Sequence, residues 1–317
     1  MINQIDKETL FKSNIKLGLC CINNQLSKSK NKISCNRTCI RKTFTVEKAK
    51  QLAIQNIEDI IPLLKWNDIH NIKHYRMSSN MLPHYTDPCT EKYTLDFAMN
   101  SFEKVGVVIN ELNHRITMHP GQFCQIGAKS RNIFEKTIED LKMHADIMDN
   151  MNINPDSGII CIHGGGIYGD KENTIRRWIE QYDELPLNVK NRLAIEHCEK
   201  CYSIIDVLNI SEQTGIPVIY DNLHYECYNQ LHPLDQIDNI DDILPEVVET
   251  WKSRNSVPLM HIAQQKLDSK VGAHADYVDK IPEEIFKIIQ ELDVNIDIEV
   301  EAKAKEDAIF KLHAKYL

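Results

Sequence analysis

The chain has 317 residues, 42% of them hydrophobic, enough to build one large domain or two ordinary ones around a substantial core. A net charge of -9 excludes a protein that coats nucleic acid non-specifically, though not one that binds it on a single face. No apolar run approaches a membrane span and no signal-type segment opens the chain, so an intracellular setting with no membrane contact is expected.

Residues 1–13 are expected to form a flexible or loosely packed lead-in. A first strand is read in "KLGLCCI", from Lys16. The stretch from Ser27 to Phe44 then holds Lys28, Lys30, Lys32, Arg37, Arg41 and Lys42 with no acid. Its lysines read as a solvated loop, and its later part, with hydroxyls and amides beside arginines, as a phosphate contact. "EKAKQLAIQNIEDIIPLLKW" sets Ala53, Ile57, Ile60 and Leu64 on one helical stripe, which Pro62 should kink or end. Strands follow in "IKHYRM" from Ile72 and "RITMH" from Arg115. The amphipathic segment "RNIFEKTIEDLKMHADIMDNM" carries a stripe of Phe134, Ile138, Leu141, Ala145 and Met148. Further strands are read in "GIICIH" from Gly158, "RLAIE" from Arg192, "IPVIYD" from Ile216 and "VPLMHI" from Val257. A helix in "IPEEIFKIIQEL" opens near Pro282 with acids in its first turn, and "NIDIEVE" from Asn295 is the last strand.

Most of these strands are nearly continuous apolar runs, as strands covered on both faces should be. Eight of them alternating with helices, with no linker, repeat or low-complexity tract, predict an α/β fold. The expected architecture is a (β/α)₈ TIM barrel forming a single domain over residues 1–317, with a doubly wound open sheet as the second choice. The ten cysteines are irregularly spaced and show no pair of CxxC knuckles, which favours reduced thiols over a disulfide framework or a structural zinc cluster.

In such a barrel the carboxyl ends of the strands converge on one mouth, where chemistry gathers. The third predicted strand ends in His119, the fourth in His163 and the fifth in Glu196. The sixth ends in Asp221 with His224 three residues on, the seventh in His261 with His274 in the following loop, and the eighth in Glu301. Any one of these is more often a satisfied polar group or a helix cap than a ligand. Together, five histidines and three carboxylates crowded into one mouth would repel and desolvate one another unless divalent cations neutralise them. Eight ligands are too many for one ion, so two or three are expected; imidazole and carboxylate donors without thiolates suit manganese or zinc, with magnesium an alternative. Such a cluster generates a hydroxide for in-line attack on a phosphodiester. "HGGGIYGDK" (163–171) has the look of an esterase oxyanion loop, but no GxSxG elbow exists, and no Walker loop or GxGxxG is present. Strand alternation turns His197 away from where Glu196 points, which leaves His197 and Cys198 outside the site.

The residues resemble the UV damage endonuclease family. The ordered motifs "LGLCCIN", "NRT", "YRMSSNMLP", "HPGQF", "IHGGGIYGDK", "AIEHCEK", "DNLHY", "HIAQQK", "GAHADY" and "EVEAKAKE" carry the likeness from about Leu17 to the last strand. The resemblance implies a metal-dependent TIM barrel, related to the apurinic endonucleases, that nicks double-stranded DNA immediately 5′ of UV photoproducts and related lesions. It implies that His119, His163 and Glu196 hold one ion, Glu196, Asp221, His261 and Glu301 a second, and His224 and His274 a third. Glu196, His261 and Glu301 would be central to catalysis, and no obligate protein partner is implied. Gln122 and Phe123 would probe the damaged duplex, with Asn23, Arg37 and Lys303 as further DNA contacts. Three positions depart from the family pattern: Leu19 replaces a tyrosine, Leu259 stands where an active-site lysine can occur, and Asp87 stands for a histidine that His84 could replace. Two other readings compete, a metal-dependent sugar isomerase or epimerase and a barrel that has lost its chemistry; a basic rim and an aromatic wedge at Phe123 favour DNA over a sugar.

Overall fold

The structure, a computed structural model, describes residues 6–237 and 239–317. Eight parallel strands close into a barrel in chain order: β1 (Ile15–Cys20), β2 (His74–Met77), β3 (Arg115–Met118), β4 (Gly158–His163), β5 (Leu193–Glu196), β6 (Val218–Asp221), β7 (Leu259–Ile262) and β8 (Ile296–Val300). Each predicted strand is found, trimmed by a residue or two at some ends; β8 pairs with β1 through Leu17↔Ile298 and Leu19↔Val300 and closes the ring. The helix predicted around Pro62 breaks at Asp59 into Val46–Glu58 and Ile60–Ile69, with Pro62 in the first turn of the second piece, where its missing N–H costs nothing. Ala53, Ile57, Ile60 and Leu64 are all fully buried against the barrel wall, as are Phe134, Leu141, Ala145 and Met148 of the Arg131–Asn150 helix.

The lead-in is only in part what the sequence suggested. Residues 1–5 lie outside the described residues, but Lys7–Asn14 is a helix capped by the Asp6 side chain. Its Phe11 is buried and stacks on Tyr316 with ring centroids 5.2 Å apart, and Lys7 pairs with Glu283. One aromatic anchor is enough to bind a short polar helix to the shell.

The barrel interior divides into two halves. Toward β4–β7 it is dry: Ile159, Cys161, Ala194, Ile219 and Leu259 pack with Trp251. Toward β8, β2 and β3 it is a ladder of charges. Arg115 Nη1 donates to Asp297 at 2.8 Å; one layer up, Glu299 accepts from Arg76 and Thr117 and lies 2.8 Å from His74 Nε2. Gly18 faces this layer, and a Cβ there would lie 2.8 Å from the His74 ring, so its missing side chain makes room for the ladder. Such pairs survive desolvation because each charge meets an opposite one at hydrogen-bond distance.

Candidate metal centre and DNA-facing rim

Strand register decides which predicted ligands meet. His163 lies level with Glu196 across β4 and β5, and Asp221 level with His261 across β6 and β7. His119 and Glu301 sit one residue beyond β3 and β8, so both rise over the rim. Glu196, fully buried, is the hub. Its Oε2 lies 3.3 Å from His119 Nε2 and 3.8 Å from His163 Nε2, while its Oε1 lies 2.9 Å from His261 Nδ1 and 3.1 Å from His224 Nδ1. Glu301 is 3.5 Å from His261 Nδ1.

Three ligand groups expected from the sequence can be compared with this geometry. His119, His163 and Glu196 present donor atoms within one ion's reach, and so do Asp221, His261 and Glu301. The third grouping differs: His224 converges with Glu196 and Asp221, whereas His274 belongs to no such cluster among the described residues. His274 stands on a ribbon in the loop after β7, bridged to Gln265, with Nδ1 3.6 Å from Glu301 Oε2. A cysteine also enters the site, against the expectation of no sulfur: Cys161 Sγ is 3.2 Å from Glu196 Oε2, two residues before His163 on the same inward face of β4. Burial pushes its thiol well up, so it acts as a hydrogen-bond donor to the carboxylate.

Burial raises the Glu196 carboxyl, but the imidazoles of His261, His163 and His224 outweigh it and hold the group well below the usual carboxylate range. Burial also works against ionised Glu301, which Arg76 and His261 nonetheless hold down at about 2. Asp221 moves the other way, raised chiefly by burial, and burial drives His163 down to about 4. Arg76 is the one Lys or Arg paired with a carboxylate in this mouth, and it is shared between Glu299 and Glu301 at 2.6 Å. Glu196 and Asp221 are therefore left without a fixed cation among the described residues. One oxygen of Asp221 accepts from the His224 amide at 2.8 Å; the other, Oδ2, is buried with no hydrogen-bond partner. A buried carboxylate oxygen without a hydrogen-bond partner at the bottom of an imidazole-lined mouth fits a divalent cation.

Several residues that shape this centre escaped the reading of strand ends. Arg76, Glu299, His74 and Thr117 lie one layer below the mouth, and Arg76 Nη2 reaches His261 Nε2 at 3.1 Å. A two-residue period applied to "IKHYRM" and "NIDIEVE" would have set His74 with Arg76, and Asp297, Glu299 and Glu301, on inward faces. His197, turned outward as expected, is not idle: its Nε2 accepts from the Asp221 amide at 3.0 Å, and its carbonyl is 3.1 Å from His224 Nδ1.

Beside the mouth, Gly121 to Cys124 form a tight turn closed by a 2.9 Å bond from the Cys124 amide to the Gly121 carbonyl. Gln122 and Phe123 occupy its two corners, and Phe123 is 81% exposed. The turn is anchored: Cys124 is buried, and the Gln125 amide donates to Thr137 Oγ1 at 3.0 Å. Clefts flank Phe123 on both sides. One runs to Gly165 and Cys198–Cys201 beside His163; the other is bordered by Arg41, Asn80, His84 and Lys136.

The remaining predicted DNA contacts fare unequally. Asn23 is 2% exposed and caps the Asn24–Lys28 helix, so its carboxamide does not reach the surface. Arg37 spends its guanidinium on Asp59 at 2.6 Å and on the carbonyls of Ser34 and Lys32, which tie the basic loop to the shell. Arg41 is likewise paired, with Asp87, but its side chain is 63% exposed on the cleft and so stays open to a phosphate. Lys303 is exposed after β8. Of the departures, Leu19 is buried in the main core and Leu259 in the dry half of the barrel. Asp87 is gripped by Arg41 at 2.8 and 3.0 Å and by His84 Nδ1 at 3.1 Å.

Residues 15–317 match the family model described as UV-endonuclease UvdE. The chain belongs to that family. It is 31% identical over 327 residues to the UV-damage endonuclease of Schizosaccharomyces pombe, covering all of this chain and 53% of that longer protein. It is 31% identical over 274 residues to the UV DNA damage endonuclease of Bacillus mycoides, covering 86% and 84% of the two chains. Among solved structures, SacUVDE superposes with a TM-score of 0.81 at 31% identity, covering 96% of this chain and all of the other. Endonuclease IV from Thermus thermophilus (TM-score 0.56, 12% identity; 95% and 97% covered) shares the fold. So does 3-keto-D-glucoside 4-epimerase from E. coli (TM-score 0.54, 10% identity; 95% and 99% covered).

Proposed function

We propose that this UvdE-family barrel nicks duplex DNA immediately 5′ of UV photoproducts and related lesions, leaving a 3′-hydroxyl and a 5′-phosphate, with two or three divalent ions, manganese foremost, in its mouth. Family membership makes the chain a DNA-repair endonuclease; side of incision, lesion range and metal are this proposal. One observation carries it: a buried mouth where Glu196 and Asp221 lack a fixed cation opens beside an exposed aromatic held at the corner of a rigid turn.

His119, His163 and Glu196 would hold one ion, and Asp221, His261 and Glu301 another, with Glu196 shared and His224 beside it. His274, at the rim, is left as a ligand that the approach of DNA or a further ion would draw in. When bound, such ions supply the positive charge that a pentavalent phosphate needs and lower the pKa of water at the scissile bond. The chain's own residues do the rest. Arg76 orients Glu301 and His261 from beneath, and the Cys161 thiol holds Glu196 by a donated hydrogen bond. Above them, Gln122 and Phe123 enter the base stack. Separating bases at a lesion costs less than separating sound ones, so the wedge selects by distortion instead of by sequence. Arg41 and Lys303 supply cationic contacts to the backbone.

The test is a duplex carrying one thymine dimer, incubated with protein and Mn²⁺, with and without chelator. A single cut directly 5′ of the dimer, abolished by chelation, is expected. Intact strands from protein shown to hold metal would overturn the proposal.

A further inference from the structure

The loop that follows the Glu196 hub reads "HCEKCYS", a single Cys-x-x-Cys placed where neither the fold nor the metal centre requires sulfur. The Cys198 amide donates to the Tyr202 carbonyl at 3.0 Å and closes a tight turn. Within it, Cys198 Sγ accepts from the amides of Cys201 at 3.3 Å and Tyr202 at 3.4 Å. The 3.3 Å bond from the Cys201 amide to Cys198 Sγ holds the two residues together across this turn, so a rotation of the Cys201 side chain can bring its sulfur to Cys198. Cys198 is buried, whereas Cys201 is partly exposed, and both line the cleft between this loop and the Gln122–Phe123 turn.

The turn packs against the segment that follows the metal-ligand strand: the Tyr202 ring lies so close to Gly164 that a Cβ there would meet it at 2.7 Å. Gly164 belongs to the "HGGGI" segment that begins with His163. A disulfide brings sulfurs to about 2.05 Å, well inside any hydrogen-bonded separation of two thiols. Forming one here would draw Cys198 Sγ away from the Tyr202 amide and so shift the Tyr202 ring, which already packs against Gly164, next to His163.

We propose that Cys198 and Cys201 form a reversible disulfide that acts as a redox switch on the endonuclease, loosening His163 and narrowing the cleft beside Phe123. A low-molecular-weight disulfide, such as glutathione disulfide, is the oxidant. The Cys201 thiolate attacks one of its sulfurs, forming a mixed disulfide and releasing one thiolate. The Cys198 sulfur gives its proton to solvent and attacks the Cys201 sulfur, expelling the second thiolate, which takes up a proton. Two electrons pass from the protein to the small disulfide, and two small thiols result. Cys201 suits the attacking role, because it is partly exposed at the cleft while Cys198 is buried behind it.

The experiment equilibrates the full chain in glutathione buffers from reducing to oxidising and then blocks free thiols. Trypsin cuts after Lys200, between the two cysteines, so only a disulfide holds the resulting peptides together; fragmentation separates Cys201 from Cys227 on the same peptide. Expected are linked peptides joined through Cys198 and Cys201, a roughly 10- to 100-fold fall in nicking of UV-irradiated plasmid, and recovery with dithiothreitol. Cys201→Ser should nick like the parent when reduced and stop responding to oxidant. Mn²⁺ uptake measured by calorimetry reads the same change at His163 without relying on cleavage, so a failure of this switch is distinguishable from a failure of the proposed incision chemistry. No linked peptide at any ratio, a linked protein with unchanged nicking and Mn²⁺ uptake, or undiminished oxidant sensitivity in Cys201→Ser would each overturn the proposal.

Discussion

Replacing Arg76 by methionine isolates the charge ladder beneath the metal mouth. Arg76 is 7% exposed and is bound to Glu299, which is fully buried, and to Glu301 at 2.6 Å. Methionine keeps much of the length and packing but leaves Glu299 with His74, Thr117 and His261 as polar neighbours and no guanidinium. Removing one partner of a buried pair typically costs about 3–5 kcal/mol, because an uncompensated charge stays behind. With an unfolding entropy of about 2.1 cal/mol/K per residue over 317 residues, that lowers Tm by about 4–8 °C. Circular-dichroism melts of metal-stripped protein in EDTA measure it without interference from bound ions. Adding Glu299→Gln to the variant removes the stranded charge, so the double variant should be more stable than Arg76→Met alone. A single variant within 1 °C of the parent, or a double variant that loses the sum of the two single losses, would refute the ladder as a mutually neutralising unit.

Glu196→Gln removes the shared charge of the centre. Nicking should fall below detection, and the upward Tm shift that Mn²⁺ gives the parent, about 2.7 kcal/mol of stabilisation at a hundred times Kd, should be largely lost. Phe123→Ala should leave Tm within about 1 °C, since the side chain is 81% exposed, while the preference for dimer-containing over undamaged duplex in competition binding falls about 5- to 100-fold. His114, at the opposite end of the barrel, is pushed down by burial, so its folded form resists protonation below the usual imidazole value. The unfolded chain then binds the extra proton, and this contribution to stability is present above about pH 6.5 and lost as the pH falls toward the folded value. His114→Gln, able to keep the bond to the Ile72 carbonyl at 2.9 Å, should therefore show a shallower drop in Tm between pH 7 and pH 5 than the parent.

How much of this could be read from the chain depended on what each residue's signal was made of. The barrel was legible because eight apolar runs separated by amphipathic helices have few other ways to bury themselves, and the gathering of imidazoles and carboxylates was legible because strand ends in a barrel share one mouth. Asn23 and Arg37 are less available than composition suggests: the Asn23 side-chain oxygen caps a helix amide and the Arg37 guanidinium pairs with Asp59, and composition does not show whether a polar group is already engaged. His274 departs from its expected ion because its position depends on a loop ribbon and not on strand register. The Lys7–Asn14 helix was missed because its docking rests on few groups, chiefly Phe11 with Leu10 and the Lys7–Glu283 pair, which leave little apolar periodicity in the sequence.

The ladder and the metal mouth follow from one constraint. A barrel that gathers Glu196, Asp221 and Glu301 at its top must offset the desolvation of each ionised carboxylate with positive charge, built in or bound. On the β8–β2–β3 side the floor is therefore polar: Asp297 meets Arg115, Glu299 meets His74 and Arg76, and Arg76 extends upward to Glu301. On the β4–β7 side it is apolar, with Leu259 one step below His261 and Cys161 below His163. Glu196 and Asp221 stand over this dry half with imidazoles for neighbours and no guanidinium, and there Asp221 keeps a bare buried oxygen. Fixed cations serve the carboxylate on one side, and the other side is left for mobile ones. This asymmetry concentrates the demand for divalent metal around Glu196, beside the cleft that Phe123 overhangs, where a phosphate drawn in by the wedge would arrive.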